Sequence, residues 1–244
     1  MGNVMVITSG KGGTGKTALT AGLGAALAGM GRRVLCVDCD VGLRNLDLTL
    51  GMTDAAVMDF SDVLTGGCDL SVAAVSHPTL SNLHLLTAPL SLPEGFPGED
   101  GFRALLREAR DRYDDILIDS PAGLGVGFRL AVCDADRAIV VAMNDPASLR
   151  DAPRVVGELS SLETVHLVVN RVKRRLLRRM SATIDDAMDA VGLPLLGLVP
   201  EDSHVLLAAN EGKPIAALTQ RGAALAFGNI ARRLTGEEVP LRKR

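Results

Sequence analysis

A chain of 244 residues with 47% apolar and 23% charged side chains has the make-up of a soluble globular protein and enough length to bury one large core. Its net charge of -3 gives no overall pull toward nucleic acid or an anionic membrane, so any such attraction has to be local. Aromatic residues make up 2% and Trp is absent, which leaves Val, Leu, Ile, Ala and Met to build the core.

The opening MGNVMVITS runs straight into a strand pattern, with no basic n-region and no apolar h-region, so no signal peptide is expected. No stretch reaches the roughly 18 apolar residues of a membrane span, and a cytoplasmic protein is expected. The strand VMVIT leads into SGKGGTGKT and then an Ala-rich helix over 17–30, which supplies both the pattern GxxxxGK[ST] and its required setting. Gly10, Gly12, Gly13 and Gly15 let backbone N–H groups approach phosphates, with Thr14 between them and Ala18 in the first helical turn. Lys16 is expected on the β- and γ-phosphates of ATP, or the β-phosphate of ADP, and Thr17 on Mg²⁺. Lys11 is a second lysine in a loop that needs only one, and an unpaired charge there calls for an anion.

The second strand, VLCVD, ends in DCDVGLRNLD. Asp38 and Asp40, two apart, leave the same face of a strand and suit a metal bound through water and an oriented attacking water. Cys36 and Cys39 have the spacing of a metal or redox motif, but three apart in a strand they point to opposite faces, so packing is expected instead. With Cys68 and Cys133 they are too few and too scattered for a disulfide scaffold, and His77, His84, His166 and His204 show no ligand spacing.

Further strands are expected at LHLLTA, DILID, AIVVAM, VHLVVN and LLGLVP, and helices over 102–112, 148–159, 180–191 and 218–234. SLPEGFPGEDG reads as a surface loop. In DDILIDSPAG the strand delivers Asp119 to its carboxyl end as a metal-side carboxylate, and Gly123 has an N–H and the freedom to approach a γ-phosphate. Apolar strands alternating with helices imply a doubly wound, mostly parallel α/β sheet with helices on both faces, in one domain spanning 1–244. Its ligands belong at the carboxyl ends of the strands.

Through GKGGTGKT, DVGLRNLDLTLG, DSPAG, SLRD, VVNR and VPED the chain resembles the MinD/ParA family of deviant Walker A P-loop ATPases, and GLRNLDLTLG is specific to the MinD branch. The resemblance implies a Mg-dependent ATP hydrolase that dimerises around ATP and regulates placement of the division septum. By the same resemblance Lys11 reaches the phosphates of the dimer partner, Lys16 and Thr17 hold phosphate and Mg²⁺, Asp40 places the attacking water and Asp119 serves the metal. Asn45 lies in the switch near the dimer partner. Asn170, Arg171, Pro200, Glu201 and Asp202 match the segments that recognise adenine. Arg150 and Asp151 match a face for regulatory partners of the MinC/MinE kind, the alternative being solvated charges in a first helical turn.

Three departures stand beside that resemblance. The family's C-terminal amphipathic membrane helix has no counterpart before LRKR, and the basic tail over 236–244, expected to be poorly ordered, would anchor weakly to a membrane at about 1 kcal/mol per basic residue. VKRRLLRRM carries five basic residues, Lys173, Arg174, Arg175, Arg178 and Arg179, with Val172, Leu176 and Met180 on one face if helical. It reads either as a solvated connection or as a contact for lipid or DNA, as in a ParA-like positioning ATPase. After DSPAG stand Leu124 and Gly125 where MinD sequences carry an Ile-Glu pair, which bears on coupling to the activating partner. The remaining alternatives are a flagellar-number-type ATPase, a nucleotide-binding scaffold without turnover and an iron-sulfur carrier, the last disfavoured by the strand placement of CVDC.

Overall fold

In a computed structural model that describes residues 1–177 and 183–241, eight strands form one sheet in the order β3-β4-β2-β5-β1-β6-β7-β8. The strands are β1 (Asn3–Thr8), β2 (Val34–Asp38), β3 (Val75–Ser76), β4 (Leu83–Leu86), β5 (Asp115–Asp119), β6 (Arg137–Met143), β7 (Thr164–Val172) and β8 (Leu195–Pro200). All neighbours run parallel except β3, which pairs antiparallel with β4 at the edge. The seven apolar runs read from the sequence are the seven parallel strands. β3 is too short to leave a pattern.

Alternation along the strands divides the core. Val4, Val6, Leu35 and Val37 point into one layer, with Phe102, Leu106, Phe128, Ala152 and Val155. That layer holds α5 (Gly98–Arg112), α6 (Val126–Val132), α7 (Pro146–Glu158) and α9 (Ile184–Val191). Met5, Ile7, Cys36 and Leu117 point into the other, against α1 (Lys16–Gly29) and α12 (Gly222–Leu234) through Leu19, Leu23, Phe227 and Ile230. A Cβ at Gly24 of α1 would meet the Cys36 thiol at 2.5 Å, so that helix lies against the sheet only because it is bare there. Cys36 and Cys39 are free, buried and in opposite layers, as two residues three apart in an extended segment must be.

Element ends moved where caps override periodicity. The helix expected from 102 starts at Gly98, so part of SLPEGFPGEDG is helical, and Glu99 and Asp100 favour its positive end. The helix expected from 148 starts at Pro146 because Asp145 accepts from the Ser148 N–H and Pro fits the first turn. The stretch 218–234 is two helices, α11 (Ile215–Leu218) and α12, separated at Thr219 to Arg221. Thr183 and Asp186 form a capping box that starts α9 at Ile184; the expected helical residues up to 182 lie outside the described residues. Short α2 (Leu46–Leu50), α3 (Phe60–Leu64), α4 (Leu70–Ala73), α8 (Arg174–Leu177) and α10 (Ser203–Glu211) were not legible.

The shared amphipathic face expected for Val172 and Leu176 does not form. Val172 ends β7 and is buried, while Leu176 is half exposed on the four-residue α8; Arg178, Arg179 and Met180 lie outside the described residues. Arg233 donates to the carbonyls of Leu196, Val239 and Pro240 at 2.9, 2.9 and 3.0 Å.

Candidate active site

The carboxyl ends of β1, β2 and β5 meet at one point. Asp119 is in register with Ile7 on one side and Asp38 on the other. After β1 the chain turns through Ser9 to Gly15 into α1, with Gly13 at φ 77° and Gly15 at φ 91°, a left-handed backbone that glycine adopts without strain. An added Cβ at Gly15 would also strike the Asn170 amide, and one at Gly10 the Asp151 carbonyl. The loop is therefore clasped from both β7 and α7.

Its two lysines have different surroundings. Lys16 is buried, and its Nζ donates to Ser9 Oγ at 3.1 Å, which in turn donates to the Lys11 carbonyl at 2.7 Å. Burial holds the Lys16 ammonium below the usual lysine value, against the pull of Asp119 and Asp40. Lys11 is exposed and makes no ion pair among the described residues.

Asp119 accepts from the Thr17 hydroxyl and from Thr20 Oγ1, the latter at 3.2 Å. Burial still pushes it up to about 7, opposed by the Thr17 bond, with Asp38 adding repulsion. Asp38 rises to about 6, burial again leading, although its two oxygens accept the N–H groups of Asp40 at 2.8 Å and Leu46 at 3.1 Å. Asp38 thus folds the Asp40-to-Leu46 loop back over the site as well as facing Asp119. Asp40 is half-buried; desolvation raises it and Lys16 lowers it. Asn45 precedes α2 with its side chain exposed, and Gly123 is open at φ 87°.

The donor set suits a Mg-nucleotide. Among the described residues no three His, Cys, Asp or Glu gather as an all-protein metal cage. Magnesium needs no such cage, since one or two carboxylates and a hydroxyl suffice beside substrate phosphates. Asp119 and Asp38, too buried to be comfortable as anions, and the Thr17 hydroxyl meet that requirement beside a phosphate-sized glycine loop.

Of the residues matched to adenine recognition, Asn170 is held against the P-loop, with one N–H and one lone pair of its amide left over. Its Nδ2 donates to the Thr14 carbonyl at 2.8 Å and its Oδ1 accepts from the Arg171 N–H at 2.8 Å. Glu201 pairs with Arg171 at 3.5 Å and Lys173 at 3.3 Å. The Asp202 carboxylate caps α10 through the His204 N–H at 3.0 Å and takes the Ala223 N–H at 2.9 Å; Pro200 ends β8. Arg150 is exposed on α7 and lies 3.6 Å from Asp151. Sequence reasoning missed Ser9 and Thr20, though Thr20 lies one turn beyond Lys16 and so shares its face.

Residues 5–215 match the CobQ/CobB/MinD/ParA nucleotide binding domain. The septum site-determining protein MinD of Synechocystis is 39% identical over 244 residues, covering 98% of this chain and 92% of that one. Among solved structures, a MinC:MinD cell division complex from Aquifex aeolicus superposes with a TM-score of 0.90 at 38% identity, covering 98% of each chain. MinD from Pyrococcus horikoshii, complexed with Mg-ADP, superposes at 0.82 with 31% identity, covering 97% of each. With its glycine loop, paired aspartates and strand order all in place, the chain belongs to the MinD group of the CobQ/CobB/MinD/ParA nucleotide-binding family.

Proposed function

We propose that the protein, acting as one P-loop domain, hydrolyses ATP to ADP and phosphate, dimerises when ATP is bound, and works as a switch in placing the division septum. The observation that carries this is the contrast within GKGGTGKT, where Lys16 is buried and hydrogen-bonded while Lys11 stands in solvent without an ion pair among the described residues. With ATP bound, Mg²⁺ would neutralise charge on its phosphates, held by Thr17, Asp119 and Asp38. Lys16 leaves Ser9 for the phosphates, and Asp40 orients the attacking water. Lys11 completes the site of a second copy, placing positive charge where the γ-phosphoryl reacts. Catalysis is then mainly positioning and electrostatics.

The Mg-ADP bound to the Pyrococcus relative and the MinC bound to the Aquifex relative support the substrate and one class of partner. Partner docking is assigned to the outer face of α7, where the Arg150 side chain is 81% exposed. Steady-state phosphate release from wild type and Asp40→Ala tests the chemistry. Turnover in the first and its loss in the second is expected, and equal, near-zero release from both would overturn the ATPase assignment.

A further inference from the structure

In the glycine loop a single peptide plane decides whether a donor or an acceptor meets the phosphates. The Thr14 carbonyl and the Gly15 N–H share that plane, and in a trans peptide they point in opposite directions. Asn170 Nδ2 donates to the Thr14 carbonyl at 2.8 Å. The Gly15 N–H is therefore aimed away from β7, toward the open side of the loop to which the phosphates are assigned. Burial changes in the same direction, since Thr14 is fully buried and Gly15 only half so.

That plane needs holding. One of the two dihedrals that flank it is the φ of Gly15, at 91°, and glycine accepts either sign, so the plane can turn over at little steric cost. Turned over, it would present a carbonyl oxygen to the phosphates in place of an N–H and exchange attraction for repulsion. A carbonyl on a fully buried residue needs a donor from the protein, and Asn170 supplies it. Asn170 is itself fixed. It is buried near the end of β7, in register with Met143 of β6, and its Oδ1 accepts from the Arg171 N–H at 2.8 Å, which leaves Nδ2 facing the loop. Gly15 admits the amide because it is bare; an added Cβ there would strike Nδ2.

We propose that Asn170 is a positioning residue for phosphate binding: it holds the Thr14–Gly15 peptide with its N–H toward the phosphates, a role separate from any contact with a base. This rests on the ATP assignment above. The test uses inorganic tripolyphosphate, which has no base, on the full chain. Calorimetry measures its affinity and that of ATP for wild type, Asn170→Asp and Asn170→Ala, while NMR follows the Gly15 amide proton. In wild type that proton should move downfield as tripolyphosphate binds, the mark of a hydrogen bond to an anionic oxygen. Asn170→Asp keeps the shape and the acceptor for Arg171 but sets an oxygen against the Thr14 carbonyl. Tripolyphosphate should then bind about tenfold more weakly, with the Gly15 shift lost at saturation, and Asn170→Ala should show a smaller loss of both. Undiminished tripolyphosphate binding in either variant would overturn the proposal and leave Asn170 to the base. Weaker binding with the full Gly15 shift at saturation would also overturn it, as the sign of a general loss of structure. So would a wild-type Gly15 proton that tripolyphosphate does not move, whether or not the variants fold. A wild type that binds neither tripolyphosphate nor ATP would overturn the ATP assignment instead, and this one with it.

Discussion

Asp38 and Asp119 stand side by side on neighbouring parallel strands, both buried, with only hydroxyls and backbone N–H groups to satisfy them. Two carboxylates in that position repel each other, and Lys16 near Asp119 offsets only part of the cost of burying them. Kept as anions they destabilise the folded chain, a cost that a bound cation would reduce.

The pH dependence of stability follows from that pair. Asp119 and Asp38 titrate at about 7 and about 6 in the folded chain, against about 3.9 when unfolded. Between those values the native state binds more protons than the unfolded state. Their stabilising contribution is complete below about pH 4 and is lost as pH rises through 6 to 7. Asp119→Asn should therefore gain stability over wild type at pH 8 and lose most of that advantage at pH 5. Denaturant unfolding at the two pH values measures it, and an advantage independent of pH would count against the burial argument.

Metal affinity should show the reverse trend. Deprotonated carboxylates are needed to hold Mg²⁺, so Mg-dependent ADP binding should weaken below about pH 7, whereas metal-free ADP binding should change little there. Titration calorimetry with and without Mg²⁺ at pH 6 and pH 8 separates the two.

Thr20 supports Asp119 from one helical turn below Thr17. Thr20→Val keeps the shape and removes the bond, and partners of this kind carry about tenfold in metal affinity. The Mg²⁺ concentration for half-maximal ADP retention should rise by about that factor. An unchanged Mg²⁺ requirement would leave Thr20 with only its bond to the Lys16 carbonyl at 3.1 Å.

The two loop lysines should separate in solution. Lys11→Ala should retain ADP binding within about twofold, lose the ATP-induced dimer in sedimentation, and drop phosphate release by ~100-fold or more, as removal of a transition-state donor does. Lys16→Ala should lose binding itself. Loss of ADP binding in Lys11→Ala would place that lysine on the phosphates of its own chain.

Much of the fold was legible because its strands are covered on both faces. ILI in β5 and VVA in β6 have no polar interruptions, so apolar runs sufficed. Asp38 and Asp119 were legible as carboxylates at strand ends, and the glycine loop as a motif in its required setting. What the sequence concealed depends on contacts between distant segments. Asn170 matches a base ligand by motif, but its bond to the Thr14 carbonyl, 156 residues away, leaves no local pattern. Arg233, 37 residues from Leu196, could not be recognised as the anchor of the tail until β8 and α12 lay together.

Finally, the wall between Gly10 and α7 is one backbone thick. The helix that displays Arg150 and Asp151 outward presses the Asp151 carbonyl onto Gly10 from within, so any load on its outer surface is felt at the phosphate cradle without an intermediary. By thermodynamic reciprocity, a nucleotide that shifts the cradle must alter the grip of whatever holds the helix by the same factor. A partner docked on α7, as proposed above, would then couple to the cradle through a single helix, and Gly10→Ala, which jams it with one methyl group, should blunt both directions at once.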